Sequence, residues 1–221
     1  MFDALFAYGL SPNDRVLDVG CGTGLVSAEL ARRGCCASGV DVCEPMLQRA
    51  RERVASARFM AGRAEELPFE GASFDAATSA QAFHWFDQPR ALAELLRVVR
   101  PGGVVGVWWK GLMRGDAVRL LREEAALSIG HESPGDILAK DFDAFDDAPL
   151  VDKVLRIVPW IVHMTVSDFL GYERSRALAR DAYGDRLEDY FAALRKRLGA
   201  PQSDLALSYV QLLYLGRVAA H

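Results

Sequence analysis

The chain has 221 residues, of which 51% are apolar and 25% are charged, a composition typical of a folded globular protein. Its 26 Lys and Arg residues against 30 Asp and Glu residues give a net charge of −4, which disfavours non-specific binding to nucleic acid. No apolar run approaches the roughly 20 residues that cross a bilayer. No basic segment precedes an apolar stretch at the N-terminus, so no secretory signal is predicted. We therefore expect a cytoplasmic protein without membrane or nucleic-acid partners.

The cysteines Cys21, Cys35, Cys36 and Cys43 all fall in the first fifth of the chain. They form no C-x-x-C pair and have no histidine near them in sequence, which disfavours both a zinc site and a disulfide framework. We expect reduced thiols in a core and no bound metal.

From Arg15 to about Trp109, short β-branched runs alternate with amphipathic helical runs. Strands are predicted over 15–19, 37–41, 58–61, 74–78 and 104–109, with helices over 25–33, 44–56 and 89–99. Parallel strands joined by helical crossovers form a sheet that is covered on both faces. The rhythm therefore predicts a doubly wound, mostly parallel α/β sheet, which binds ligands at the carboxyl ends of its strands.

Beyond residue 110 the pattern changes to longer elements. Helices are predicted over 115–130, 167–181 and 185–198, an acidic loop over 131–149, and strands over 154–166 and 205–218. The two strands flank helices and can pair antiparallel at one edge of the sheet. No linker or repeat interrupts the chain. We predict a single domain over 1–221, with a ligand-binding core at 1–110, a cap at 111–185, and a last helix and closing strand at 186–221.

A glycine-rich turn over residues 20–24, with the sequence GCGTG, joins the first predicted strand to the first predicted helix. Glycines there let backbone N–H groups approach a ligand and turn the chain into a helix N-terminus. Asp41 ends the second strand, about 20 residues further on, where a carboxylate can bind the hydroxyls of a ribose. Together these two features favour a nucleoside site over a turn that serves only packing.

The type of nucleoside is narrowed by two further residues. The nicotinamide fingerprint G-x-G-x-x-G requires glycine at position 25, where this chain has Leu25. Asp18 lies just before the loop, where its charge would repel a pyrophosphate but suit a ligand with a positive amino group. S-adenosylmethionine is such a ligand. Neither Tyr-x-x-x-Lys nor Gly-Lys-Ser/Thr occurs, which disfavours a short-chain dehydrogenase and a P-loop protein.

Six segments within residues 14–110 carry a family resemblance: VLDVGCGTG (16–24), GVD (39–41), GRAEELPF (62–69), SFD (73–75), SAQAFHWFD (79–87) and RPGG (100–103). On these segments the sequence resembles the class I S-adenosylmethionine-dependent methyltransferases. It is most similar to the methyltransferase type 11 branch and, within it, the trans-aconitate methyltransferase-like group. The resemblance implies a Rossmann-like, seven-stranded, mostly parallel sheet with an antiparallel C-terminal strand and a helical cap. It also implies methyl transfer to a small-molecule acceptor, with S-adenosyl-L-homocysteine as the product.

The resemblance also implies which residues bind the donor. Those expected to contact it are Asp18, Gly20, Cys21 and Gly22 (methionine tail), Asp41 (ribose), Val42 and Met46 (adenine ring), and Ser79, Ala80 and Gln81 (methionine tail and methyl group). Relatives commonly place an Asp where this chain has Arg63, which is followed by Ala64 and Glu65. Either Glu65 binds the adenine edge in its place or the contact is to the backbone.

The acceptor side is predicted after the fourth and fifth strands, where Phe83, Trp85 and one of the two adjacent tryptophans form apolar walls. Since alternate strand residues face opposite sides, only one tryptophan can face the site, and we assign Trp109. His84 is a candidate general base for a hydroxyl or amine, an orienting group for a carboxylate, or a structural residue. Arg174 is a candidate cation for an acidic acceptor.

Two alternatives to a small-molecule methyltransferase arise. Amino-directed nucleic-acid methyltransferases carry a Pro-Pro-Tyr-type motif after the fourth strand, where this chain has Ser79-Ala80-Gln81, and the negative net charge also disfavours them. The second alternative, a catalytically idle donor-binding or interaction protein with the same fold, stays open. It is favoured by Arg63 and by the short segment before the first strand.

Overall fold

The computed structural model describes residues 1–133 and 143–220. Within them the helices are α1 (Phe2–Tyr8), α2 (Leu25–Arg32), α3 (Glu44–Arg53), α4 (Gln88–Val98), α5 (Ala117–Ser128), α6 (Asp143–Asp147), α7 (Val166–Ser175), α8 (Ala177–Tyr183) and α9 (Leu187–Leu198). The strands are β1 (Arg15–Val19), β2 (Cys36–Asp41), β3 (Arg58–Ala61), β4 (Phe74–Ala80), β5 (Val99–Leu112), β6 (Leu150–Thr165) and β7 (Asp204–Val218). Short 3-10 helices cover Phe83–Trp85 and Gly184–Arg186. No described helix has both the length and the apolar content that a membrane crossing needs.

The seven strands form one sheet in the order β3-β2-β1-β4-β5-β7-β6. The pairs β1–β2, β1–β4, β2–β3 and β4–β5 are parallel, and the C-terminal strands run antiparallel. This confirms the predicted Rossmann-like, doubly wound sheet. The chain moves outward from β1 to β3 and then returns to place β4 on the other side of β1. The strand order therefore switches between β1 and β4, where doubly wound sheets form their ligand crevice.

Two helices occur where no helix is predicted, and the single helix predicted over 167–181 is divided into α7 and α8. Helix α1 precedes β1, in a segment for which no element is predicted, and no side chain caps it. Burial of Leu5 stabilises it. The Arg33 guanidinium also contacts it, 5.5 Å from the centroids of the Phe2 and Phe6 rings. The predicted loop over 131–149 is wrong at α6, where the buried Phe145 packs on Tyr214 with ring centroids 5.6 Å apart. Such short helices depend on tertiary packing, which local periodicity does not reveal. The rest of that predicted loop lies partly outside the described residues.

The chain divides into two compact units. In its described residues, unit 1 comprises 1–109, 143–156 and 212–220, and unit 2 comprises 110–133 and 157–211. One apolar cluster of unit 1 is built from α1, α2, β1, β4, β5 and β7, and a second lies between α3 and the loop after β1. The core of unit 2 is built mainly from α5, α7 and α9. The prediction of a single domain with a cap at 111–185 stays a prediction.

Asp18 lies in β1 and is almost fully buried, with 1% of its surface exposed. Its carboxylate accepts a hydrogen bond from the Ser27 hydroxyl at 2.8 Å and a longer one from Thr78 at 3.4 Å. Burial raises the pKa of Asp18 to about 6, because the loss of solvation outweighs these two hydrogen bonds, which lower it. The negative charge of Asp41 raises the same pKa further. An ionised Asp18 is therefore costly at neutral pH.

The first prediction concerns Gly39 in the middle of β2. A Cβ at this position would lie 2.7 Å from a Phe59 ring carbon and 2.8 Å from Cys21 Sγ. We expect Gly39→Ala to lower the free energy of unfolding by about 1–3 kcal/mol, since overpacking a core forces its neighbours apart. Urea denaturation measures this. Gly71→Ala is the matched control, because a Cβ there meets only the Arg97 carbonyl oxygen at 3.4 Å; equal losses in both variants would contradict the prediction.

The second prediction concerns the pH dependence of stability. Folded Asp18 keeps its proton up to about pH 6 and the unfolded chain loses it near the ordinary value of 3.8, so the free energy of unfolding falls as the pH rises between these values. Asp18→Asn has no carboxyl group to ionise at this position, so this fall in the free energy of unfolding should disappear. Its stability relative to wild type should grow by on the order of 2 kcal/mol between pH 4 and pH 7, measured by thermal unfolding. The control is Asp147→Asn, at an exposed carboxylate of α6; a gain for Asp18→Asn that is the same at both pH values would count against it.

Candidate functional site

A cleft of about 320 Å³ opens in unit 1 at the carboxyl ends of β1, β2 and β3. This volume lies within the range of small-molecule sites, which is about 300–1,000 Å³. The residues that line it are Val19, Gly20, Val40, Asp41, Val42, Gly62, Arg63, Ala64, Glu65, Ala82, Trp85 and Phe86. The cleft therefore lies where the sheet topology predicts a ligand.

Gly20 lines the cleft and directly follows β1. It has a φ of 70°, in the left-handed region that favours glycine, and its N–H donates to the Val40 carbonyl at 2.8 Å. A Cβ at Gly20 would lie 2.4 Å from the Ala82 Cβ, on the segment that follows β4. The absence of a side chain at this position therefore lets the two segments approach each other at the cleft.

Asp41 lies at the end of β2 and is half-buried in the wall of the cleft. One oxygen accepts the Gly22 N–H at 2.8 Å, and the other accepts the Cys43 N–H at 2.9 Å. Each carboxylate oxygen has a second lone pair. Asp41 can therefore hold these two backbone groups and still accept hydrogen bonds from a ligand.

Glu65 also lines the cleft, where it joins the loop after β3 to the loop after β4. One of its oxygens accepts the Asp87 N–H at 3.0 Å, and the other lies 3.5 Å from the Arg63 guanidinium. Asp87 in turn accepts the Arg90 N–H at 3.2 Å and caps the start of α4. Both residues line the cleft, but the Arg63 side chain is 72% exposed, whereas that of Glu65 is 9% exposed. Both alternatives for the adenine edge, Glu65 and the backbone of this loop, therefore stay open.

The end of β4 is strained. Gln81 has a φ of 56°, unusual for a residue other than glycine, and its N–H donates to the Trp108 carbonyl at 2.9 Å. The buried Ser79 hydroxyl has no hydrogen-bond partner among the described residues. Strained backbone and unsatisfied polar groups often occur at functional sites. Neither residue lines the cleft itself.

His84 lies in the 3-10 helix that follows β4 and is half-buried. The Trp109 indole N–H donates to its Nδ1 at 3.2 Å. Trp109 is fully buried, and its ring contacts Phe83 edge-on. Trp108 is also buried, but it contacts Phe2 instead, as expected for adjacent strand residues that face opposite sides.

The predicted site residues fall into three groups. Those that line the cleft are Gly20, Asp41, Val42, Arg63, Ala64, Glu65 and Trp85. Those that belong to unit 1 but do not line it are Asp18, Cys21, Gly22, Met46, Ser79, Ala80, Gln81, Phe83, His84 and Trp109. Arg174 belongs to unit 2, where it pairs with Glu188 at 3.0 Å and lies 4.4 Å from the Phe191 ring centroid.

Five lining residues are absent from the predicted set: Val19, Val40, Gly62, Ala82 and Phe86. They contribute backbone and apolar surface, so their residue types give no chemical signal. Their position does give one, because Val19 and Val40 are paired at the ends of β1 and β2 and Gly62 directly follows β3. Strand ends at the crevice could therefore have identified them.

Three similarities place the chain among known proteins. A methyltransferase domain model matches residues 17–107. An uncharacterized methyltransferase of Mycobacterium tuberculosis is 33% identical over 168 residues, which cover 74% of this chain and 64% of that relative. Malonyl-acyl carrier protein O-methyltransferase of Erwinia pyrifoliae is 47% identical over 92 residues, or 41% of this chain and 35% of that enzyme. The chain thus spans less than two thirds of the length of these relatives.

A solved structure of a candidate type II methyltransferase from Anaeromyxobacter dehalogenans superposes with a TM-score of 0.71 at 29% identity, covering 99% of this chain and 97% of that one. Methyltransferases of this fold use S-adenosylmethionine as the methyl donor. The trans-aconitate-like grouping stays a prediction, because none of these similarities points to it. Residues 17–107 carry a type 11 methyltransferase domain, and the chain is similar to the class I S-adenosylmethionine-dependent methyltransferases.

Proposed function

We propose that this chain is an active methyltransferase that binds S-adenosylmethionine in the unit 1 cleft and transfers its methyl group directly to a small-molecule acceptor. The observation that carries the proposal is the Asp41 carboxylate, which lines the same cleft as the bare backbone of Gly20. A carboxylate at the end of the second strand is suited to the two hydroxyls of a ribose.

The charges at the cleft fit a cationic donor. Asp41 and Glu65 line the cleft, and Asp18 lies buried in β1. The negative charge of Asp41 already raises the pKa of Asp18, so the two carboxylates repel each other. A positive ligand would relieve this repulsion, whereas a pyrophosphate would add to it. S-adenosylmethionine carries a sulfonium and an ammonium group and no phosphate.

The shape and apolar surface of the cleft fit an adenosyl group. Val42 and Trp85 are 71% and 58% exposed, large values for apolar side chains, and both line the cleft. We assign the adenine ring to this surface and its edge to the loop that contains Ala64 and Glu65. The methionine tail is assigned to the turn after β1, whose Gly20 and Gly22 both have positive φ.

The catalytic task of the chain is positional. When bound, S-adenosylmethionine supplies a methyl group on a sulfonium, which is already a good leaving group. The protein therefore has to hold the acceptor in line at close contact and exclude water. The aromatic side chains Trp85 and Phe86, in the segment after β4, line the cleft and supply apolar walls for this, and the buried Phe83 packs edge-on against Phe86. Aromatic ring faces can also favour a cation.

The acceptor is assigned only by class. The relative from Erwinia pyrifoliae is named a malonyl-acyl carrier protein O-methyltransferase, and it matches 41% of this chain. This supports an acceptor with a carboxylate or another oxygen or nitrogen nucleophile. The competing function is a catalytically idle donor-binding protein, which the exposed Arg63 at the mouth of the cleft favours.

The test is formation of S-adenosylhomocysteine from purified protein, S-adenosylmethionine and a panel of carboxylic acids, phenols, amines and thiols. Product that requires both the protein and one acceptor supports the enzyme. Binding of the donor without turnover across the whole panel supports the idle protein. If calorimetry detects binding of NAD but of neither S-adenosylmethionine nor S-adenosylhomocysteine, both the enzyme and the idle donor-binding protein are overturned.

A third prediction follows for Asp41. We expect Asp41→Asn to weaken S-adenosylhomocysteine binding about 10- to 100-fold, because the charge-assisted hydrogen bonds to the ribose are lost. Isothermal titration calorimetry measures the affinity. Glu52→Gln removes one negative charge from the exposed side of α3 and serves as the control; the assignment of the ribose to Asp41 is wrong if the two variants bind alike.

A further inference from the structure

In the hydrogen bond between Trp109 and His84, the chemistry of the indole group determines which side chain is the donor. Trp109 Nε1 and His84 Nδ1 are 3.2 Å apart. An indole N–H can only donate, so Nδ1 of His84 has to accept and cannot carry a proton itself. In a neutral imidazole the single proton then lies on Nε2. The arrangement thus selects one of the two neutral tautomers of His84.

Packing holds the indole in this orientation. Trp109 has no exposed surface. Its ring meets Phe83 edge-on, with centroids 6.3 Å apart, and Tyr214 edge-on, with centroids 5.8 Å apart. Tyr214 is in turn packed against the buried Phe145 of α6. Turning the N–H away from His84 would break these aromatic contacts, so the tautomer is held by the core of unit 1.

We propose that Trp109 is a positioning residue that keeps neutral His84 in its Nε2–H form, so that His84 meets the acceptor as a hydrogen-bond donor and not as a general base. The proposal rests on the proposed methyltransferase function and deepens it. A general base needs a lone pair on the nitrogen that faces the acceptor. In His84 the lone pair of the neutral ring lies on Nδ1, which faces Trp109.

This assignment restricts the chemistry of the acceptor. A His84 that donates through Nε2 suits an acceptor that is already nucleophilic when it binds, as a carboxylate or another oxygen anion is at neutral pH. The acceptor oxygen then forms the bond to the methyl carbon, the electrons of the broken carbon–sulfur bond stay on sulfur, and no proton moves. The Nε2–H of His84 would orient the anion, since hydrogen bonds to charged acceptors are strong.

The first test reads the tautomer directly and needs no acceptor. Long-range proton–nitrogen NMR spectra of the nitrogen-15-labelled protein distinguish a ring nitrogen that carries a proton from one that does not. His84→Gln assigns the His84 signals among those of the other histidines. We expect a protonated Nε2 and an unprotonated Nδ1 at pH 8. A protonated Nδ1, or an even mixture of tautomers, overturns the proposal.

The second test removes the indole donor. Trp109→Phe keeps an aromatic ring in the core but has no N–H, so His84 should shift toward a mixture of tautomers. Trp108→Phe is the matched control, because it removes an equally buried indole that contacts Phe2 and not His84. It should leave the His84 signals unchanged. If Trp109→Phe fails to fold, the wild-type spectrum alone still decides the tautomer.

The third test distinguishes a hydrogen-bond donor role of His84 from a general-base role. It uses a methyl acceptor identified with the panel. His84→Gln keeps an N–H donor but has no basic nitrogen, and His84→Leu has neither. A donor role predicts a kcat at least about tenfold higher for the Gln variant than for the Leu variant, whereas equal kcat values overturn it. Failure of the proposed function would give no turnover with any acceptor and would leave the NMR result as it stands.

Discussion

The candidate site depends on one interaction, the bridge that the Asp41 carboxylate makes between two backbone segments. One oxygen binds the N–H of Gly22, in the turn after β1, and the other binds the N–H of Cys43, in the turn that leads into α3. The parallel pairing of β1 with β2 brings these turns to the same edge of the sheet. Hydrogen bonds to an ionised acceptor are roughly twice as strong as neutral ones. The position of the glycine turn is therefore set by the same group that is available to a ligand.

A second carboxylate that lines the cleft, Glu65, also accepts a hydrogen bond from a backbone N–H. Glu65 accepts the backbone N–H of Asp87, and Asp87 accepts the backbone N–H of Arg90 at the start of α4. The loops after β3 and β4 are thus joined by a carboxylate that accepts a main-chain N–H, as the turns after β1 and β2 are joined by Asp41. This construction fixes flexible segments and also concentrates negative charge at the crevice. Such a crevice is suited to a ligand that is positively charged and carries no phosphate.

Local patterns predicted β1–β5 because β1, β2, β4 and β5 contain β-branched residues and the helices between the strands have a periodic apolar face. Asp41 and Gly20 could also be found, since their residue types have a specific role at strand ends. Helix α1 could not, because contacts with residues distant in the sequence, such as Arg33 and Arg217, hold it. The hydrogen bond from Trp109 to His84 could not be predicted from the sequence either. It joins residues far apart in the chain, and its direction depends on how the core packs.

The unequal exposure of the tryptophans has a practical consequence for spectroscopy. Trp85 is 58% exposed and lines the cleft, whereas Trp108 and Trp109 are buried and Trp160 is stacked on Tyr209. Solvent-exposed indoles emit at longer wavelength than buried ones, so the red edge of the intrinsic fluorescence comes mainly from Trp85. An external quencher such as iodide should act chiefly on this component. The protein thus carries its own optical reporter at the mouth of the crevice, and no label has to be attached.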